Sequence, residues 1–114
     1  MLFERREITH LIQTFEGLEL KAGVRLEAIY AYYEIGNMVG PIIEINFDVL
    51  SDAPLEAEWV DFMAPIYNDK GQLIETGRAR VYKESFFGHD PVNISVHAVP
   101  DEPKTIRLYP KLKA

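Results

Sequence analysis

Ile43-Glu44-Ile45-Asn46-Phe47-Asp48-Val49 alternates apolar and polar side chains without a break. A period of two puts the four apolar residues on one face of an extended chain and Glu44, Asn46 and Asp48 on the other, the signature of a half-buried β-strand. Downstream, Glu58 to Tyr67 carries Trp59, Val60, Phe62, Ile66 and Tyr67 and reads as another strand. Pro65 assigns its end to a sheet edge or a bulge, because proline has no N–H to give a ladder. Asn68-Asp69-Lys70-Gly71 predicts a hairpin turn, since Asn, Asp and Gly tolerate the positive φ such turns need. Leu73 to Lys83 returns as one or two strands interrupted at Gly77, and Gly88-His89-Asp90-Pro91 predicts the next turn. Val92, Ile94, Val96 and Ala98 then alternate with Asn93, Ser95 and His97, and Thr105 to Tyr109 predicts a last strand before Pro110.

Upstream of Ile43 the pattern is mixed. Leu18, Leu20, Ala22, Val24, Leu26, Ala28 and Tyr30 alternate with their neighbours and predict a strand, against a competing helical spacing of Leu26, Ile29, Tyr30 and Tyr33. Ile8, Leu11, Ile12 and Phe15 fall at i, i+3, i+4 and i+7, which predicts a short helix ended by Gly17; a ragged first strand is the alternative. Glycine and proline punctuation elsewhere leaves little room for long helices. The count is about seven strands, the number expected of an immunoglobulin-like antiparallel β-sandwich. The expected organisation is a single mostly-β domain over residues 1–114, with a short N-terminal helix within residues 1–17 packed on it.

Three stretches carry a family resemblance. Asn46 to Leu55 is similar to the early strand and loop of the bacterial immunoglobulin-like sandwiches of the FxLYD type, Tyr67 to Ile74 to their central hairpin, and Phe87 to Val96 to the turn and strand that follow. The resemblance spans roughly residues 43–99. It implies a sandwich fold and no particular activity, because sandwiches host many unrelated functions.

Composition narrows the functional classes. The chain has 114 residues, 47% hydrophobic and 26% charged, enough for a core of its own. With no cysteine, disulfides, thiolate-bound metals and a thiol nucleophile are excluded. A net charge of -6 argues against a partner bound through nucleic-acid phosphates. The mixed charge of Met1 to Glu7 lacks the basic-then-apolar order of a signal peptide, and no apolar run reaches membrane-spanning length, so a cytoplasmic location without membrane contact is expected.

Three constellations are chemically suggestive. Tyr30, Tyr32 and Tyr33 cluster, with the first two on one face of a strand, and mark an interaction surface, since rings give contact area at little entropic cost. Between Met38 and Asp69 there is no Lys, Arg or His, and Asp48, Asp52 and Glu56 flank the Ser51–Pro54 turn as candidate calcium ligands. The opposite sign gathers at Lys104, Arg107, Lys111 and Lys113 and at Lys70, Arg78, Arg80 and Lys83, so that the basic part of one copy could meet the acidic middle of another. Trp59 is expected in the core, where such folds bury a central tryptophan. Ser95 and His97 lie on one side of one strand, but no nucleophile signature surrounds them. The leading expectation is a non-enzymatic interaction module for a protein partner or a second copy, without a cofactor. The alternatives are a small-molecule or carbohydrate-binding sandwich assisted by calcium, and, last, a serine hydrolase.

Overall fold

The computed structural model describes residues 3–36 and 40–112. Among these residues, eight strands form two four-stranded sheets packed face to face, a β-sandwich. The front sheet has the order β1 (Glu4–Glu7), β3 (Arg25–Ile35), β4 (Ile42–Leu50), β7 (His89–His97). The back sheet has the order β2 (Ile12–Thr14), β8 (Thr105–Lys111), β5 (Trp59–Tyr67), β6 (Leu73–Tyr82). Strands β4 to β7 make a Greek key across the two sheets: β5 and β6 pair as a hairpin in the back sheet, and β7 returns to lie beside β4 in the front. Every pairing is antiparallel except β2 with β8, which run parallel.

The alternation of β4 does what its sequence dictates. Ile43, Ile45, Phe47 and Val49 are buried, and they face Val60, Phe62, Ala64 and Ile66 of β5 across the sandwich. Phe47 and Phe62 meet edge-on with ring centroids 5.5 Å apart, and Ala31, Ile94, Ile106, Leu108 and Pro110 are fully buried around them. A fully buried side chain of this size is worth about 1.5–3 kcal/mol relative to exposure. No helix among the described residues is long and apolar enough to cross a membrane.

The N-terminal helix is not formed, and the alternative, a ragged first strand, describes the segment better, as β1 and β2. Residues 8–15 form no helix: Ile8 N–H donates to the Ala31 carbonyl (2.8 Å) and Ala31 N–H to the Thr9 hydroxyl (3.0 Å), pinning the chain where it crosses from the front sheet to the back. A single 3₁₀ turn at Thr9–Leu11 then leads into β2. The helix comes later, as α1 (Glu16–Ala22), where a strand was expected. Glu16 and Glu19 in its first turn and Lys21 in its last complement the helix dipole, and Gly23 ends it in the left-handed conformation (φ 75°). Tertiary pairing and this terminal chemistry outweighed two short periodicities that each fitted the wrong element.

Further corrections concern strand details. β6 is continuous through Gly77, which is buried where β6 crosses β7: a Cβ there would lie 2.5 Å from Ile94 Cγ2 and 2.7 Å from Val96 Cγ2. β7 begins already at His89, inside the expected turn. Pro65 is on a central strand, not an edge; the β5–β8 register has no paired residues at Ala64 and Pro65, which accommodates the missing N–H, and a bulge follows between Ile66 and Tyr67 on the β6 side. Trp59 points outward from the back sheet, half-buried, and Phe62 holds the central core position.

β3 contains one extra residue. Glu27 pairs with Asp48 and Tyr30 with Asn46, so three steps on β3 oppose two on β4, with Ala28 held at φ 52°. The bulge inverts the alternation: Leu26 pairs with inward Val49, whereas Tyr30, of the same parity, lies outward beside Asn46.

Two substitutions test these packing claims by denaturant unfolding. Gly77→Ala should cost about 1–3 kcal/mol through overpacking against Ile94 and Val96. Ala28→Gly should stabilise by a few tenths to about 1 kcal/mol, because glycine adopts the left-handed region without the Cβ penalty, offset in part by its entropy.

Candidate functional site

The two outward faces of the sandwich carry the chemistry. On the front face the register sets out rows of side chains: Glu7–Tyr32–Glu44–Ser95, Tyr30–Asn46–Asn93, and Arg5–Glu34–Ile42–His97. Tyr30 and Tyr32 lie 5.9 Å apart with rings tilted by 50°, and the Arg5 guanidinium sits 3.6 Å over the Tyr32 ring. Asn93 Nδ2 donates to Glu44 Oε2 (2.8 Å) and Asn46 Oδ1 (3.0 Å), and the Ser95 hydroxyl donates to Glu44 Oε1. These bonds tie β4 to β7 through side chains as well as backbone and hold Glu44 in one orientation.

The back face is aromatic and basic. Trp59, Met63 and Tyr67 of β5, Tyr82 of β6 and Tyr109 of β8 share it with Arg78, Arg80, Arg107 and Lys111, against one carboxylate, Asp61. Arg80 makes two parallel bonds to Asp61, at 2.7 and 3.1 Å, while its guanidinium lies 4.6 Å over Trp59. Arg107 lies 4.9 Å over Tyr67, and Phe15 meets Tyr109 edge-on at 5.9 Å. Guanidinium planes on ring faces restrict the side chains.

The sequence-derived candidates divide. Tyr30 and Tyr32 come together on the exposed front face, whereas Tyr33 points inward and is buried, its hydroxyl pushed above the usual tyrosine range by burial, partly offset by Arg6. Asp48, Asp52 and Glu56 are not brought together as a calcium set. Asp48 Oδ2 lies 3.4 Å from His89 Nε2, Asp52 is bound by Arg25 at 2.9 Å, and no group of three or more His, Asp and Glu able to hold a metal occurs among the described residues. Ser95 Oγ lies 3.2 Å from His97 Nε2, but its proton is directed to Glu44; the carboxylate faces the serine instead of backing the histidine, the reverse of the order a serine nucleophile needs. Of the basic residues, Lys113 falls outside the described residues.

Sequence reading missed a third region. At the end of the sandwich where Ser51 bonds to the Gly23 and Gly88 carbonyls, Leu20 and Phe87 stand 83% and 90% exposed. A cleft of about 420 Å³ beside α1 is lined by Glu16, Glu19, Leu20, Val24, Arg25, Leu26 and Glu27. Buried Glu19 on its wall accepts the Leu26 N–H at 3.0 Å. Leu20 belongs to the strand-like alternation of Leu18 to Tyr30, so nothing in the sequence marks it as a protruding side chain.

No family model, no curated protein and no solved structure matches this chain.

The Arg80 hydrogen bonds, opposed by partial burial, hold the Asp61 carboxyl below the usual carboxylate range. A lowered folded-state pKa means that this pairing contributes stability above the ordinary aspartate value of about 3.9 and loses it as pH falls through the folded value. A carboxyl NMR titration should find Asp61 below that reference and returning to it in Arg80→Met. An Asp61 midpoint unmoved by the substitution would remove the pairing as its cause.

Proposed function

We infer that this protein is a non-enzymatic interaction module that docks a protein partner through the outward face of its front sheet. The observation that carries this reading is the Tyr30–Tyr32 ring pair, with Arg5 laid over Tyr32, standing on a rigid, hydrogen-bonded strand surface. Tyrosine and arginine on a rigid scaffold are the side chains that dominate interface energetics. Kinship with the FxLYD-type sandwiches and a cytoplasmic setting belong to the same proposal and add a context without adding an activity.

A small-molecule reading has one supporting feature, the cleft of about 420 Å³ beside α1, a size within the range of ligand pockets. A carbohydrate platform is less well supported, because a sugar needs an open ring face. Arg5 lies over Tyr32, and Arg80 over Trp59.

The double variant Tyr30→Ser/Tyr32→Ser tests the interaction reading. Both rings lie on the outer face, so the variant should remain folded, at a cost of up to about 1 kcal/mol per site from the lost ring contacts and strand propensity. Partner retention on the immobilised protein, or association between copies by sedimentation, should fall roughly tenfold or more. Unaltered retention and association in a folded variant would overturn it.

A further inference from the structure

The two outward faces have opposite sign. On the front, Glu7, Glu27, Glu34, Glu44 and Asp48 outnumber Arg5 and Arg25; on the back, Arg78, Arg80, Arg107 and Lys111 outnumber Asp61. Much of this charge is not neutralised within the molecule. Among the described residues, Glu7 and Glu44 have no cationic side chain within salt-bridge distance, and Arg78, Arg107 and Lys111 have no carboxylate within it.

Resting on the interaction-module reading, we propose that the basic, aromatic back face of one copy docks on the acidic front face of a second copy. Charge decides the pairing. A two-fold contact of front on front would set the Glu44 row against itself, and back on back would oppose Arg78 and Arg107 to their own copies. Front on back brings Arg78 and Arg107 against Glu44 and Glu7, and Tyr30 and Tyr32 against the rings around Met63. At about 4.8 Å between strands and about 3.3 Å per residue, the four front strands, of 4, 11, 9 and 9 residues, cover about 520 Å² in projection, and the four back strands, of 3, 7, 9 and 10 residues, about 460 Å². These footprints lie below the ~800 Å² per partner of a standard interface, the size of a weak, reversible contact. Because two different patches meet, one copy keeps a free front and the other a free back, and the contact propagates as an open series instead of closing as a dimer.

Complementation between variants tests the geometry. Arg78→Gln/Arg107→Gln disables the back face, and Glu7→Gln/Glu44→Gln disables the front, neutral side chains being chosen so that no new complementary pair of faces is created. Glu7→Gln/Glu27→Gln serves as a second front-face variant that leaves the Glu44 hydrogen bonds in place, should the first fail to fold. By sedimentation velocity, wild type should form species larger than a dimer as concentration rises, weakening about tenfold or more between low and high salt. Each variant alone should be monomeric at the same concentrations. Mixing the back-disabled with the front-disabled protein should restore one heterodimer of twice the 13.1 kDa chain mass and nothing larger. Wild type that stays monomeric at millimolar concentration and low salt overturns the self-docking and leaves the Tyr30–Tyr32 retention test standing. Wild type that associates while the mixture gives no heterodimer overturns the front-on-back geometry in favour of another contact.

Discussion

Phe47 reaches across the sandwich and meets Phe62 edge-on, and the two inner rows of side chains close around that contact. Once those rows are buried, the pleat leaves no freedom elsewhere, because neighbours of an inward residue must point out. Glu44, Asn46 and Asp48 are therefore displayed by the burial of Ile43, Ile45, Phe47 and Val49. On the back sheet the burial of Val60, Phe62 and Ala64 displays Trp59, Asp61 and Met63 in the same way. The outward chemistry of this protein is the complement of its core.

Two local devices adjust that rule. The extra residue at Ala28 exchanges the faces of everything after it on β3, which is why Tyr30 and Tyr32 are outside and Tyr33 is a core residue. Gly77 lets β6 approach β7 more closely than any side chain would permit, and so closes the sandwich along one side. Both are single-residue features with consequences for a whole face. At the opposite ends of the chain, β2 and β8 pair in parallel, which ties the N-terminal segment into the back sheet and commits Ile12–Thr14 to extended structure.

The outward faces share a construction. Each carries rings overlaid by guanidinium groups, Arg5 on Tyr32 in front and Arg80 on Trp59 behind, so the aromatic surface is also a charged one. They differ in how their charge is held. Glu44 is fixed by Ser95 and Asn93, neutral donors that bring no compensating cation, whereas the Asp61 carboxylate is offset by the Arg80 guanidinium bound to it. The front therefore keeps a net negative field and the back a net positive one.

Strand positions over the second half of the chain were legible in the sequence because a period of two survives wherever one sheet face is buried, as at Ile43 to Val49 and Val92 to His97. The facing of Tyr30 against Tyr33 followed from the same rule. The helix was misplaced because Ile8, Leu11, Ile12 and Phe15 match a helical stripe by chance; Ile8 is instead buried at the crossover, and Phe15 packs on Tyr109. The calcium set failed because closeness along the chain says nothing of salt-bridge competitors such as Arg25, which is 27 residues from Asp52 in the chain. Local alternation, charge and the absence of cysteine were written in the sequence by itself: they determined a two-layer β protein with opposite charges at hand. Only the tertiary structure decided which face each charge would occupy, because that depends on a one-residue bulge, a parallel pairing and a glycine contact between residues far apart in the chain.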